Sequence, residues 1–346
     1  MNSSMTAATA LSPTTSIAAL PATMTALVRH RYGGTDTLQV QTVRRPVPRE
    51  GEVLLEVAAA GLDRGTWHLM TGRPYLMRLA GFGFFAPRQP VLGMEVSGTV
   101  VEVGAGVTRW SVGDRVFGYA KGSFAPFAVA RADKLAAAPA HLPLEEAALL
   151  AVSGSTALQA LTDGGAKAGE RVLIVGASGG VGTYAVQIAK AHGLHVTAVC
   201  SAAKAEVVRR CGADRVIDRH REDFTAAGER YDLVIDIAGG TALSRLRGVM
   251  TEHGRLVFVG NEEGGDWTAG FERQIHALLL GARTKQRFVM LLNREQRAQL
   301  EELARLVEAG RLRPVIDRRV PLSGVAGAID ALVAGRVAGK VLVSVV

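Results

Sequence analysis

Residues 169–190, GERVLIVGASGGVGTYAVQIAK, constrain the fold of this chain more than any other stretch. The apolar run at 171–175 has the length and composition of a buried parallel strand. Ala177, Gly179 and Gly182 follow with the spacing of a dinucleotide-binding turn, Ala standing in the first glycine place. At Gly179 the missing side chain lets backbone approach a pyrophosphate, and at Gly182 it lets the next helix pack against the strand. An amphipathic helix is predicted over 181–192. Its free N–H groups and dipole would face the phosphates through Ser178, Gly179, Gly180 and Val181.

Strand-like and helix-like stretches then alternate. Strands are predicted at 194–200, 212–218, 231–240 and 254–261. Such alternation implies βαβ units and a parallel, doubly wound sheet in an α/β protein. Ligands of such sheets bind at the carboxyl ends of the strands.

Gly169-Glu170, Leu173, Ala177-Ser178-Gly179-Gly180, Gly182, Gln187 and Lys190 together resemble the signature of the quinone oxidoreductase/zeta-crystallin group. That group is the zinc-independent branch of the medium-chain dehydrogenase/reductase superfamily. Within it the chain is most similar to bacterial NAD(P)-dependent alcohol dehydrogenase-like proteins. The resemblance spans residues 24–346. It implies a Rossmann nucleotide domain joined to a discontinuous, β-rich GroES-like domain, with the active site in the cleft between them. The expected division is a disordered tail at 1–23, a substrate domain at 24–147, the nucleotide domain at 148–293 and a return to the first domain at 294–346.

An acid usually ends the second strand of an NAD-preferring site, where it binds the ribose 2′-hydroxyl. Here Cys200 and Ser201 stand there, followed by Lys204. A hydroxyl and a cation accept a 2′-phosphate that a carboxylate would repel. NADPH is therefore the expected cofactor, with Arg219 a further candidate at its adenine end. Lys204 as a solvated residue opening the next helix is the plainer alternative. The resemblance places Val259, Gly260 and Asn261 near the nicotinamide. It also places Thr156 against the ring and Lys340 across the cleft. Thr156 as a helix N-cap and Lys340 as an exposed lysine at a strand start are the corresponding structural alternatives.

Residues 93–104, GMEVSGTVVEVG, resemble the Gly-His-Glu segment of zinc alcohol dehydrogenases, with Met94 in the histidine place. Asp63, in GLDRGTWH, takes the place of their first cysteine ligand. A thioether is a poor zinc ligand where imidazole is expected. No metal is expected. Without a Lewis acid, hydride transfer suits acceptors already polarised by conjugation, such as quinones and α,β-unsaturated carbonyls. Asp63, His68 and Tyr75 are the candidate catalytic groups, His68 as a proton donor near neutral pH. A plain hydrogen-bonding role is the alternative for each. Phe82, Phe84 and Phe85 either line an apolar substrate mouth or cover a core edge.

The two cysteines show no metal or disulfide spacing and suit a reducing cytoplasm. Residues 1–23 carry no charge, so neither a basic signal region nor an arginine-rich transit segment is expected there. No uncharged apolar run reaches the length of a membrane span. The net charge of +8 comes mostly from scattered arginines without interleaved aromatics. This argues for a solvated basic surface over nucleic-acid binding. The expected protein is an NADPH-dependent reductase of quinones or enones, and the resemblance implies an edge strand within 285–293 that pairs across a homodimer. An enoyl-thioester reductase is the rival enzyme reading. A NADPH-binding sensor or RNA-binding protein with little turnover is the rival from another class.

Overall fold

The computed structural model describes residues 20–76, 78–260, 265, 267, 271–281 and 284–345. The chain opens with an antiparallel pair, β1 (Thr23–Val28) and β2 (Gln39–Arg44). The long β3 (Glu52–Leu62) leads into α1 (Arg64–Thr71). Four strands follow: β4 (Glu95–Val103), β5 (Arg115–Tyr119), β6 (Phe127–Arg131) and β7 (Leu135–Ala137). Two helices, α2 (Leu144–Ala147) and the almost wholly buried α3 (Ala151–Asp163), carry the chain into its second half.

That half alternates as its sequence implies. It runs β8 (Arg171–Val175), α4 (Gly180–Ala191), β9 (His195–Cys200), α5 (Ala205–Arg210), β10 (Arg215–Asp218), β11 (Tyr231–Asp236) and α6 (Leu243–Gly248). It ends with β12 (Met250–Phe258), α7 (Phe271–Gly281) and β13 (Arg287–Met290). The six strands form one parallel sheet in the order β10-β9-β8-β11-β12-β13. This is the doubly wound order: the chain adds strands outward from β8 on one side, then returns to add the rest on the other. The apolar run of β8 serves both faces. Val172 and Ile174 enter the core beneath α3 and α4, while Leu173 and Val175 enter the core on the opposite face. A strand buried on both faces has no polar position to spare, hence its unbroken hydrophobicity.

Helix α8 (Arg297–Glu308) then brings the chain back. Its buried Leu300, Leu303, Leu306 and Val307 recur at helical spacing and pack into the nucleotide-side core. β14 (Ile316–Pro321), α9 (Val325–Val333) and β15 (Lys340–Ser344) complete a second sheet, ordered β14-β15-β3-β4-β5-β7, with β6 also paired to β3. The β-rich unit is thus built from both ends of the chain. β15 joins it by pairing antiparallel to β3.

The tail reading needs one correction. Residues 20–23 belong to the packed fold: Leu20 contacts the β1 core, and Arg45 binds the Pro21 and Ala22 carbonyls. Thr23 already pairs with Arg44. β2 supplies the partner that holds these residues, and neither the charge nor the composition of the tail announces it.

Candidate active site

The glycine turn lies between the two sheets. Gly176, which ends β8, adopts a φ of 89°, in the left-handed region that glycine tolerates. A Cβ on Gly182 would stand 2.3 Å from the Gly176 carbonyl oxygen and 2.5 Å from the Ala177 carbonyl carbon. Only glycine allows α4 this close to the strand. Gly179 is different. A Cβ there would meet only the Gly176 carbonyl oxygen, at 3.8 Å, so open space faces this residue. The first N–H groups of α4 have no acceptor within the helix. An open cradle beneath a helix N-terminus, formed by Ser178, Gly179, Gly180 and Val181, has the character that a dinucleotide diphosphate requires.

The β-rich unit touches this turn directly. Gly339 donates its N–H to the Ser178 carbonyl at 2.9 Å. Lys340 follows, and it is 1% exposed, which removes the reading of an exposed lysine at a strand start. Its ammonium contacts Glu95 Oε1 and donates to Ser153 Oγ at 3.1 Å. Glu95 is fully buried, and its Oε2 accepts the Val152 N–H at 2.9 Å. Burial pushes the Glu95 carboxyl up to about 7, and Lys340 offsets part of that rise. Gly61 makes room for it: a Cβ there would fall 1.9 Å from Glu95 Oε1.

Asp63 caps α1, accepting the Thr66 N–H at 2.9 Å through Oδ1. Its Oδ2 is buried without a hydrogen-bond partner, and a buried carboxylate oxygen calls for a donor. Met94 lies nearby, its sulfur and Asp63 Oδ1 both flanking Gly65. Among the described residues, no group of three or more His, Cys, Asp or Glu side chains is gathered to hold a metal ion.

His68 sits in the last turn of α1 and directs Nδ1 at the Arg73 carbonyl, 2.8 Å away. A ring nitrogen facing a carbonyl must donate, so neutral His68 carries its proton on Nδ1 and offers Nε2 as an acceptor. Burial lowers its pKa below the usual histidine value. Tyr75 stacks edge-on with Trp267, and the Arg78 guanidinium lies over its ring and that of Tyr32. Thr156 lies in the second turn of α3, too deep to be the N-cap. Its hydroxyl donates to the Val152 carbonyl at 2.7 Å.

A cavity of about 310 Å³ opens beside Met94. Phe82, Leu92, Met94, Tyr119 and Ala120 give it a largely apolar wall, and Lys134 and Glu295 stand at one side. Phe82 therefore lines this cavity, while Phe84 and Phe85 are exposed and are not among its lining residues. His68 and Tyr75 are not among its lining residues.

At the other end of the turn, Ser201 follows β9 directly. Lys204 is half-buried and donates to the Gly335 and Val337 carbonyls, each at 2.6 Å. It is neither solvated nor idle. Arg219 is exposed at the end of β10, its N–H bound to the Cys200 carbonyl. Asp218 also reaches this corner, which the sequence reading overlooked. Its Oδ1 accepts the Ala202 and His220 N–H groups at 3.2 Å. Val259 and Gly260 both donate N–H groups to the Asp236 carbonyl. A Cβ on Gly260 would lie 2.2 Å from the Ile237 carbonyl, so the close packing of this strand exit requires glycine. Asn261 lies outside the described residues.

Glu95 and Ser153 were missed as site residues. Glu95 stands inside the GMEVSG motif and was passed over because the motif was read for metal ligands. A second missed pair lies below Val259: Asp236, fully buried, takes the Arg273 guanidinium at 2.8 Å and the Gly239 N–H at 3.0 Å.

This pairing of a doubly wound sheet with a chain-split β unit, closed on a diphosphate cradle, defines a two-domain nicotinamide-linked oxidoreductase. Family models agree. Residues 49–140 match the alcohol dehydrogenase GroES-like domain, and residues 211–343 match the zinc-binding dehydrogenase family. The chloroplast envelope quinone oxidoreductase homolog of Arabidopsis thaliana is 35% identical over 92% of this chain and 98% of its own. The 2-methylene-furan-3-one reductase of Solanum lycopersicum is 31% identical over 97% of this chain and 82% of its own. The quinone oxidoreductase structure from Coxiella burnetii superposes with a TM-score of 0.81 at 28% identity, covering 93% of this chain and 99% of that one. The chain belongs to the quinone oxidoreductase branch of the medium-chain dehydrogenase/reductase superfamily.

Proposed function

We propose that the protein transfers hydride from NADPH to quinones or α,β-unsaturated carbonyls without a metal. The observation that carries this reading is the cavity wall at Met94. Where a Lewis acid would polarise a simple carbonyl, an apolar thioether stands beside Asp63. The acceptor must then bring its own polarisation through conjugation, so that charge spreads into a phenolate or enolate. The relatives point the same way: a quinone oxidoreductase homolog, and a 2-methylene-furan-3-one reductase, whose named substrate is a conjugated ketone.

Bound NADPH supplies the hydride. The chain's residues hold and orient it. Ser178, Gly179, Gly180 and Val181 seat the diphosphate, while Ser201, Lys204 and Arg219 take the 2′-phosphate. Thr156, Val259 and Gly260 flank the nicotinamide. Asp63 Oδ2 offers an acceptor to a donor group of cofactor or substrate, and His68 Nε2 offers a second one deeper along α1. Tyr75 helps to shape the approach from its position against Trp267.

We further read the working form as a homodimer joined along β13, one of the two edge strands of the parallel sheet among the described residues. Both cysteines are free and buried, which suits the cytoplasm.

The experiment is NADPH oxidation followed at 340 nm against quinones, enones and simple aldehydes, with and without a zinc chelator. Chelator-insensitive turnover of quinones or enones supports the reading. Chelator-sensitive turnover confined to simple aldehydes overturns it.

A further inference from the structure

Lys340 reaches the glycine turn from the β-rich side, yet its charge is already engaged. An ideal Cβ on Gly180 would lie 3.0 Å from Lys340 Cδ and 3.0 Å from Ser153 Oγ, so the lysine stem runs across the first residue of α4. Its ammonium is turned onto Glu95 and Ser153. Four elements meet here: β4 through Glu95, α3 through Val152 and Ser153, β15 through Lys340, and α4 through Gly180.

We propose that Glu95 cages Lys340 in the cofactor-free protein, and that a dinucleotide diphosphate at the Ser178–Gly182 turn draws the lysine's charge to itself while Glu95 takes up a proton. The inference rests on the reading of that turn as the diphosphate seat. One proton from solvent adds to one Glu95 carboxylate oxygen, and no other bond changes.

The charges around Glu95 leave it as the group that must respond. From the start of α1, Asp63 adds a like charge that disfavours an ionised Glu95. From β5, the Tyr119 hydroxyl donates to the Ala151 carbonyl, and from α4 the Tyr184 hydroxyl donates to the Leu149 carbonyl. Burial raises both phenols, so both stay protonated at neutral pH. From α3 comes only the Val152 N–H. Among the described residues, Lys340 is thus the one cation that hydrogen-bonds Glu95. A diphosphate beside Lys340 weakens that pairing and adds like charge, and both effects favour the protonated carboxyl. With Glu95 near 7 before binding, the uptake falls in the working pH range.

The sign follows from linkage. A group whose pKa rises on binding takes up protons, so affinity weakens as pH climbs above its unbound value. For a rise of two units or more, the cofactor dissociation constant increases about fivefold between pH 7 and pH 8 and changes little below pH 7.

The test is binding calorimetry of NADH and of NADPH at pH 7.5, in buffers of different ionisation enthalpy. No acceptor is present, so turnover plays no part. NADH excludes titration of the 2′-phosphate. The expected result is uptake of roughly half a proton or more per site with both nucleotides. In Glu95→Gln the uptake disappears and affinity becomes flat from pH 7 to pH 8. Binding of wild type without proton uptake overturns the inference and leaves the diphosphate seat standing, as does uptake that persists in Glu95→Gln. If neither nucleotide binds, the reading of the turn falls and this inference with it. Should Glu95→Gln fail to fold, the wild-type buffer series still decides.

Discussion

The Lys204 ammonium donates to the Val337 carbonyl oxygen at 2.6 Å, and so ties the end of β9 to the turn before β15. A second bond of the same length reaches Gly335. The residue expected to select a 2′-phosphate is therefore also a strut between the two halves of the molecule. Burial lowers its pKa, and the carbonyls satisfy its donors in the absence of an anion.

Lys204→Ala with Ser201→Ala should raise the Michaelis constant for NADPH by about 10- to 100-fold, as for loss of hydrogen bonds to a charged group. The constant for NADH should move far less. Steady-state kinetics with both cofactors checks this. Equal effects on the two would leave Lys204 only its strut role, and a lower melting temperature in Lys204→Ala alone would report that role separately.

Gly179 and Gly182 should respond oppositely to the same substitution. Gly182→Ala forces a Cβ onto the backbone of Gly176 and Ala177, contacts that no rotamer relieves. It should cost about 1–3 kcal/mol or more and lower the melting temperature by several degrees. Gly179→Ala has open space around its Cβ and should melt like wild type while binding cofactor at least tenfold more weakly. Thermal melts and fluorescence titrations separate the two. If Gly179→Ala binds normally, the diphosphate does not sit where the cradle is open.

Much of the nucleotide half was legible because local signals agreed there. The apolar run of β8, the spacing of Gly179 and Gly182 and the alternation that follows all point to one sheet, and β8 to β13 fall within or near the predicted stretches. The site's centre was less legible. Glu95 and Lys340 come from distant parts of the chain and are gathered by the pairing of β15 with β3 and of β3 with β4, while Ser153 arrives on α3. No periodicity reports such a meeting. Thr156 was misplaced by one and a half turns because α3 begins without a side-chain cap, so the sequence carried no start signal at Ala151.

The Lys340–Glu95 pair yields a stability prediction whose size depends on pH. Lys340→Met leaves a buried carboxylate without its cation, which costs about 3–5 kcal/mol while the carboxylate is ionised. With Lys340 in place Glu95 is ionised, and the pair is worth most, as pH rises above about 7; without the cation its pKa rises further, so at high pH the variant must either bury an unpaired charge or take up a proton. The loss should be large at pH 8.5 and smaller at pH 6, where Glu95 takes a proton. Adding Glu95→Gln should recover much of it at pH 8.5. Denaturant melts at both pH values measure this. A Lys340→Met penalty that does not change with pH would mean that Glu95 is not the group left exposed to the loss.

His68 should behave as a neutral acceptor rather than as the proton donor that its residue type suggests. Its Nδ1–H is committed to the Arg73 carbonyl, and burial lowers its pKa below 6.5. In the window between the folded and unfolded values, the unfolded chain binds the proton and the folded one does not. Stability from this group is therefore complete above about pH 6.5 and is lost as pH falls through the lowered folded value. The wild-type melting temperature should decline below that pH, and His68→Leu should flatten the decline. Ring nitrogen chemical shifts at pH 7 should report an Nδ1–H tautomer. A protonated imidazolium at pH 7 would restore the donor role, because Nε2 would then carry a proton to give.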